Sequence, residues 1–189
     1  MNIAPDSPAR DDVRRLLDEH LADMFATSPA ESVHALDHSA LLAPSVTFWT
    51  ARDDDGTLLG CGALSELEPG AETREGEIKS MRTAGQARGR GVASELLMVV
   101  LTEAKRREYA RVSLETGSQD FFAPARRLYA RHGFAECGPF GSYTPDPNSV
   151  FMTLDLTAHQ PVAPSTPHPA QHPARLPADQ AAAGGPADS

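Results

Sequence analysis

Residues 81–93 read MRTAGQARGRGVA, and they join a predicted strand that ends at Thr83 to a predicted helix that begins at Gly91. Glycines in such a turn let the backbone approach a ligand closely, because they carry no Cβ. The start of the helix presents unpaired N–H groups and the positive end of the helix dipole. Arg88 and Arg90 add two positive charges beside those donors. The stretch therefore predicts a site for a phosphate-like anion, with an ordinary surface turn as the alternative.

Two other phosphate-binding motifs do not fit the same stretch. A P-loop needs Gly, four further residues and then Gly-Lys-Ser/Thr, and residues 81–93 contain no lysine. A dinucleotide fingerprint needs Gly-x-Gly-x-x-Gly directly after the first strand of a βαβ unit. Here Ser94 stands where the third glycine would be, and the predicted strand lies in the middle of the chain.

Hydrophobic periodicity predicts both helices and strands around this stretch, with no internal repeat. Apolar residues at helical spacing, with start and stop signals, predict helices over residues 10–25, 28–42, 91–107 and 124–132. Short apolar runs bounded by turn residues predict strands over residues 46–51, 58–67, 77–83, 111–115, 134–137 and 150–156. The pattern predicts an α+β fold, in which helices pack on the faces of a sheet.

Composition narrows the class of protein further. The 17 Lys and Arg against 26 Asp and Glu give a net charge of −9, which disfavours nucleic acid or an anionic membrane as a partner. Two cysteines exclude a disulfide framework and a four-cysteine zinc site. The first residues lack the features of a signal peptide, and no apolar run approaches the roughly 20 residues of a membrane span. We therefore expect a soluble, cytoplasmic protein.

The C-terminal part of the chain has a different composition. Residues 157–189 include seven prolines and nine alanines, and they contain no aromatic residue. Such a segment cannot bury enough apolar surface to offset the entropy of ordering its backbone. We expect one domain over residues 1–156 and a disordered tail over residues 157–189, whose histidines are solvated and bind no metal.

The residues at the turn resemble a known family, the GCN5-related N-acetyltransferases (GNAT). The family signature Gln/Arg-x-x-Gly-x-Gly/Ala is matched by Arg88-Gly89-Arg90-Gly91-Val92-Ala93. A second family motif is matched by Leu128-Tyr129-Ala130-Arg131-His132-Gly133-Phe134, and the resemblance covers residues 46–156. Residues 29–37 and 146–152 also resemble a bacterial subgroup of small-substrate acetyltransferases with unassigned acceptors.

The resemblance implies a fold and a cofactor site. The fold would have a central mixed, mostly antiparallel sheet that splays apart at the cofactor, with helices on both faces. Acetyl-CoA would be the co-substrate, with no metal. Its diphosphate would lie on the signature turn, and its pantetheine arm would pair with the backbone of the preceding strand. The implied cofactor-binding residues are Met81, Thr83, Arg88, Gly89, Arg90, Gly91, Val92 and Ala93.

The resemblance also implies catalytic roles. Tyr129 matches the family's general-acid tyrosine, which protonates the departing thiolate, although an amphipathic core tyrosine is the alternative. Glu77 matches a general base found in some members, with a solvated strand end as its alternative. Glu115 is the other carboxylate considered for that role. The position of a family asparagine that helps to hold CoA is occupied by Phe122, which puts one side-chain contact with the cofactor in doubt and predicts an apolar wall or a core residue.

The acceptor pocket of the family is built by the first two helices and the final strands. The implied acceptor-binding candidates are Glu19, His20, Ser32, His34, Trp49, Glu115 and Tyr143. His34 and His38 have the spacing of a metal pair, but no third ligand is near in sequence, so we expect no metal site. The expected function is acetyl transfer from acetyl-CoA to a small-molecule amine by direct attack in a ternary complex. A non-catalytic CoA-binding regulator and a protein-lysine acetyltransferase are the alternatives, and family members are frequently homodimers.

Overall fold

The computed structural model describes residues 1–32 and 39–157. In chain order, the strands and α-helices are β1 (Asn2–Pro5), α1 (Asp11–Thr27), β2 (Val46–Arg52), β3 (Leu58–Glu66), β4 (Glu75–Thr83), α2 (Val92–Arg106), β5 (Arg111–Gly117), α3 (Ala123–Arg131), β6 (Ala135–Cys137) and β7 (Ser149–Asp155). Among the described residues, no helix combines the length and the apolar character needed to cross a membrane.

The strands form one seven-stranded sheet in the order β1-β2-β3-β4-β5-β7-β6. All neighbours are antiparallel except β4 and β5, which are parallel. These two central strands pair only where Glu75–Glu77 face Arg111–Ser113. Beyond those three pairs, both strands continue without pairing to each other, so a gap opens in the middle of the sheet. The predicted α+β fold, with its mixed and splayed sheet, is confirmed.

Helices cover both faces of this sheet, as predicted. On one face, a Cβ placed on Gly60 of β3 would lie 3.0 Å from the side chain of Val92 in α2. On the other face, Asp23 of α1 forms a 2.6 Å ion pair with Arg82 of β4. The core lies between these layers and is built from leucine, valine and alanine side chains that are almost fully buried, including Val13, Leu64, Leu96, Leu97, Val100, Val112 and Leu114. The gap between β4 and β5 therefore connects two helix-covered faces.

Most predicted elements are confirmed to within a few residues, and two differ. β1 was not predicted, because four residues at an edge with little apolar alternation carry no local signal; its position comes from pairing with β2. The helix predicted over residues 28–42 is a 3-10 turn at each described end, Ala30–Ser32 and Ala40–Leu42. Residues 33–38 of that prediction lie outside the described residues, as does the predicted tail from residue 158 onward.

Candidate active site

Two cavities meet at the gap between β4 and β5. The larger, about 580 Å³, lies between the signature turn, α2 and α3. The smaller, about 100 Å³, lies toward α1 and the ends of β4 and β5. Both are lined by His20, Met81, Phe122, Ala125 and Tyr129. A molecule in the larger cavity can therefore contact a molecule in the smaller one at this shared wall.

The turn before α2 provides backbone donors to the larger cavity. Gly89 and Gly91 have φ angles of +76° and +82°, which glycine adopts without the strain that a Cβ would bring. Within the described residues, no hydrogen-bond acceptor is found for the backbone N–H groups of Gly89, Gly91, Val92 or Ala93. Converging free amides at the start of a 15-residue helix suit an anion.

The two arginines of the turn point in different directions. Arg88 lines the larger cavity together with Thr83. Arg90 does not line it, since its guanidinium lies 2.8 Å from the carboxylate of Asp53 in the turn between β2 and β3. Arg88 thus borders the predicted cofactor site, whereas the side chain of Arg90 is held outside it by Asp53.

A bulge in β4 determines how Met81 meets the cavities. Ser80 has a φ of +52°, and the register with β3 shifts so that Cys61 pairs with Arg82 while Ala63 pairs with Lys79. A positive φ at serine costs about 1 kcal/mol or more and persists only where the surroundings impose it. The bulge places Met81 on the shared wall. Its side chain lies over Gly62, where an added Cβ would be 2.4 Å from the methionine sulfur.

Tyr129 of α3 lies on the shared wall. Its side chain is 6% exposed, and its ring packs edge-on against Phe134 with centroids 5.6 Å apart. No hydrogen bond joins its hydroxyl to any described residue. Burial raises the pKa of Tyr129 above its ordinary value of 10, so the hydroxyl stays protonated at neutral pH. It can therefore donate a proton into the place where the cavities meet.

The phenylalanine pair forms the apolar part of the wall. Phe122 is buried and lines both cavities, whereas Phe121 is exposed and lines only the larger one. Their rings meet edge to face at 5.0 Å. Phe122 lies over Gly117, where an added Cβ would be 2.2 Å from its ring. Phe122 therefore lines both cavities and also packs closely against Gly117. The position beneath its ring requires glycine.

Glu77 lies in the smaller cavity as part of a three-residue polar network. Its carboxylate is 2.7 Å from the ammonium of Lys79 and accepts a 2.6 Å hydrogen bond from the hydroxyl of Tyr143. The Lys79 ammonium also donates to the Tyr143 hydroxyl oxygen. Glu77 is buried and Lys79 is partly buried, with 7% and 13% of their side chains exposed, so the pair is little screened by water. Burial, reinforced by Glu77, raises the pKa of Tyr143 above its usual range.

Two further predicted residues line the smaller cavity. Glu115 of β5 accepts a 2.7 Å hydrogen bond from the hydroxyl of Ser149. His20 of α1 lines both cavities, and its Nδ1 is buried with no hydrogen-bond partner among the described residues. Burial, assisted by the charge of Arg82, lowers the pKa of His20 to about 4. Its ring is therefore neutral at physiological pH, and the cavity carries two carboxylates against one ammonium.

Three of the remaining acceptor candidates, all of them among the described residues, line neither cavity. Glu19 is exposed on α1, and Trp49 is buried in β2 away from both cavities. Ser32 is buried, and its hydroxyl accepts a 3.2 Å hydrogen bond from Asn148. His34 lies outside the described residues. Within residues 1–32 and 39–157, no group of three His, Cys, Asp or Glu side chains is placed to hold a metal ion.

Sequence reasoning missed several residues of the site. Lys79 lies two residues after Glu77 on the same strand, so strand alternation places both side chains on one face of the sheet. This spacing could have identified Lys79 from the sequence. Ser94, Arg82 and Arg131 line the larger cavity. Ser94 follows the signature directly and Arg131 belongs to the second motif, so both could have been included, whereas no local pattern marks Arg82.

Comparison with known proteins identifies the family. The profile of the acetyltransferase (GNAT) family matches residues 13–134. The chain is 49% identical over 156 residues to the uncharacterized N-acetyltransferase YsnE of Bacillus subtilis, covering 82% of this chain and 100% of that protein. It is 40% identical over 159 residues to the IAA acetyltransferase of Azospirillum brasilense, covering 82% and 98%. The chain belongs to the GNAT acetyltransferase family and is an acyl-CoA-dependent N-acetyltransferase.

Solved structures share its fold. A candidate acyl-CoA N-acyltransferase from Klebsiella pneumoniae superposes with a TM-score of 0.69 at 30% identity, covering 82% of this chain and 97% of that one. A GNAT acetyltransferase from Elizabethkingia anophelis, solved with acetyl-CoA bound, gives a TM-score of 0.57 at 20% identity, covering 82% and 97%. The second likeness concerns the fold alone.

Proposed function

We propose that the protein transfers an acetyl group from acetyl-CoA to the amine of a small molecule, by direct attack within a ternary complex. The observation that carries this proposal is the meeting of the two cavities at Met81 and Tyr129. Acetyl-CoA would enter the gap from the α2 side and place its thioester there. The acceptor would approach that thioester from the α1 side. Such an arrangement turns a bimolecular reaction into one between positioned groups.

The larger cavity is the proposed acetyl-CoA site. Its free amides and Arg88 suit the diphosphate, because backbone N–H groups and a guanidinium are strong donors to phosphate oxygens. The pantetheine arm would extend toward β4 along Thr83 and Met81, beside the apolar wall of Phe122. The Met81 amide is the proposed donor to the thioester oxygen as negative charge develops there. The volume of about 580 Å³ lies within the range of small-molecule sites.

The smaller cavity is the proposed acceptor site. Two carboxylates and one ammonium line it, with His20 neutral, so its charge favours a cationic amine. An aliphatic amine is mostly protonated at pH 7 and must lose a proton before it attacks. Glu77 is the proposed base, with Glu115 as the alternative carboxylate.

The proposed reaction proceeds in one transfer. The amine nitrogen attacks the thioester carbon, the C–N bond forms and the C–S bond breaks. Glu77 takes one proton from the ammonium before the attack. The departing thiolate then takes the proton of Tyr129, and the second proton that the nitrogen loses as the amide forms returns to the Tyr129 phenolate by way of solvent. A covalent cysteine intermediate is disfavoured, because burial raises the pKa of Cys61 to about 12 and Cys137 lies on β6 away from both cavities.

An acceptor screen tests this function. The protein is mixed with acetyl-CoA and a panel of small amines, and thiol release and product mass are followed. We expect acetyl-CoA alone to raise the melting temperature and at least one amine to give stoichiometric CoA and an acetylated product. Absence of any melting-temperature rise with folded protein would contradict the cofactor site. Binding without thiol release across all amines, including lysine peptides, would contradict the transfer reaction.

A further inference from the structure

Two residues that contact Glu77, Lys79 and Tyr143, have no part in the proposed reaction as it stands. Both of them bind the same oxygen of the Glu77 carboxylate. The Lys79 ammonium lies 2.7 Å from Oε1, and the Tyr143 hydroxyl donates to Oε1 at 2.6 Å. The two oxygens of this carboxylate are therefore in different surroundings.

The other oxygen, Oε2, has no such partners. No hydrogen bond or ion pair joins it to a described residue. Within residues 1–32 and 39–157, the buried side-chain polar atoms that lack a partner are Nδ1 of His20, Nε of Arg82 and the hydroxyl of Tyr109, so Oε2 is not sealed inside the protein. Because Glu77 lines the smaller cavity, Oε2 is the carboxylate oxygen available to a molecule bound there.

The directions of the three contacts in this network are fixed. An ammonium only donates hydrogen bonds, and a carboxylate oxygen only accepts them. Lys79 donates to the hydroxyl oxygen of Tyr143, so the hydroxyl hydrogen is directed to Glu77. Burial, reinforced by the charge of Glu77, raises the pKa of Tyr143 above its usual range, and the hydroxyl keeps this hydrogen at physiological pH. Tyr143 thus bridges the ammonium and the carboxylate, and Oε1 accepts from two donors.

The two donors come from opposite sides of the gap in the sheet. Lys79 belongs to β4, the strand that carries Glu77. Tyr143 lies between β6 and β7, and its ring packs against Phe140 and Phe151 with centroids 5.1 and 5.4 Å apart. The last torsion of a glutamate side chain is otherwise broad. Two donors on one oxygen restrict that torsion and so determine where the other oxygen points.

We propose that Lys79 and Tyr143 are positioning residues for the transfer, which hold Oε1 of Glu77 and thereby present Oε2 to the amine of the acceptor. This inference rests on the proposed function, in which Glu77 takes a proton from the acceptor ammonium. A base must lie within hydrogen-bond reach of the proton that it removes. Loss of either donor therefore leaves Oε2 without a defined position. Tyr143 acts through Glu77 in this arrangement and is not itself an acceptor-binding residue.

A double-mutant cycle on the full chain tests this role. Lys79→Met and Tyr143→Phe are each introduced into the wild type and into Glu77→Gln. Thiol release is followed with acetyl-CoA and the most active amine of the acceptor screen, at an enzyme concentration high enough to measure the residual rate of Glu77→Gln. We expect each single change to lower kcat by roughly 10- to 100-fold, with the acetyl-CoA KM unchanged. In the Glu77→Gln background neither change should lower kcat further, because residues that act through one carboxylate lose their effect with it.

Lys105→Met is the matched control for the lysine. It makes the same substitution at an exposed residue of α2 that lines neither cavity, and its kcat should equal that of the wild type. Tyr143→Phe keeps the ring that packs against Phe140 and Phe151. Should Lys79→Met melt below the assay temperature, the cycle of Tyr143→Phe with Glu77→Gln decides the matter alone.

The outcomes distinguish this inference from the proposed function. Equal fold losses in the wild-type and Glu77→Gln backgrounds would overturn the inference, since a purely structural role acts in both. Wild-type kcat in the folded single variants would overturn it as well. If Glu77→Gln itself kept the wild-type kcat, the inference would fall and the transfer reaction would stand. A folded wild type that binds no acetyl-CoA, or releases no thiol with any amine, would instead overturn the proposed function.

Discussion

Replacement of Tyr129 by phenylalanine isolates the hydroxyl that the proposed reaction requires. The hydroxyl has no hydrogen-bond partner among the described residues, and its ring packs against Phe134. Phenylalanine preserves that packing and leaves no partner unsatisfied. We therefore expect the free energy of unfolding to change by less than about 1 kcal/mol. Acetyl-CoA affinity should also change little, because the diphosphate donors are elsewhere.

The loss of rate follows from the charge that forms on the departing sulfur. A hydrogen bond to a charged group contributes about 1.5–3 kcal/mol, and each 1.36 kcal/mol is a factor of ten in rate. We therefore expect kcat to fall roughly 10- to 150-fold. Because the pKa of Tyr129 is raised above its ordinary value, the wild-type rate should show no decline from this group as the pH rises toward 10.

The assay measures kcat and KM by thiol release with an acceptor found in the screen, together with the melting temperature. Tyr109→Phe is the matched control, because Tyr109 is also buried and its hydroxyl has no hydrogen-bond partner among the described residues. It lines neither cavity and packs beneath Arg74 instead. We expect its kcat to equal that of the wild type. A Tyr129→Phe protein with wild-type kcat and an unchanged fold would refute the general-acid role.

Three further changes test other parts of the site. Arg88→Glu should abolish the rise in melting temperature caused by acetyl-CoA, whereas Arg90→Glu, with the same charge change outside the cavity, should retain most of it; equal losses would contradict the placement of the two side chains. Glu77→Gln should lower kcat, while Glu115→Gln should mainly raise the acceptor KM, and exchanged results would make Glu115 the base. Gly117→Ala should lower stability by about 1–3 kcal/mol, because a Cβ there would lie 2.2 Å from a buried phenylalanine ring; denaturant unfolding measures this, and an unchanged midpoint would show that the ring can move freely.

The elements around the signature turn could be predicted because their local signals and the fold agree. Gly91 lies just before α2 with a positive φ, and the apolar spacing from Val92 to Val100 produces the buried stripe of that helix. β1 could not be predicted, since its four residues become a strand only through pairing with β2. The segment after Ser28 has a good helix start, yet Ala30–Ser32 forms a 3-10 turn, so tertiary context overrides the local preference at those three residues.

The candidate site was predictable in its backbone and less so in its side chains. The signature fixes the donor turn, but it does not show that Arg90 bonds to Asp53 instead of facing the cavity. That direction depends on a turn 37 residues earlier in the chain. The pairing of Tyr143 with Glu77 spans 66 residues and likewise has no local signal. Only contacts brought about by the folded sheet could reveal these two partners.

The short pairing between β4 and β5 makes the sheet two plates with a narrow joint. One plate is β1 to β4 and the other is β5 to β7, and three residue pairs hold their backbones together. A cofactor arm lying in the opening would act as a tie between the plates as well as a reactant. Cofactor binding should therefore slow amide hydrogen exchange in both plates. The loaded enzyme is then expected to be more rigid than the empty one.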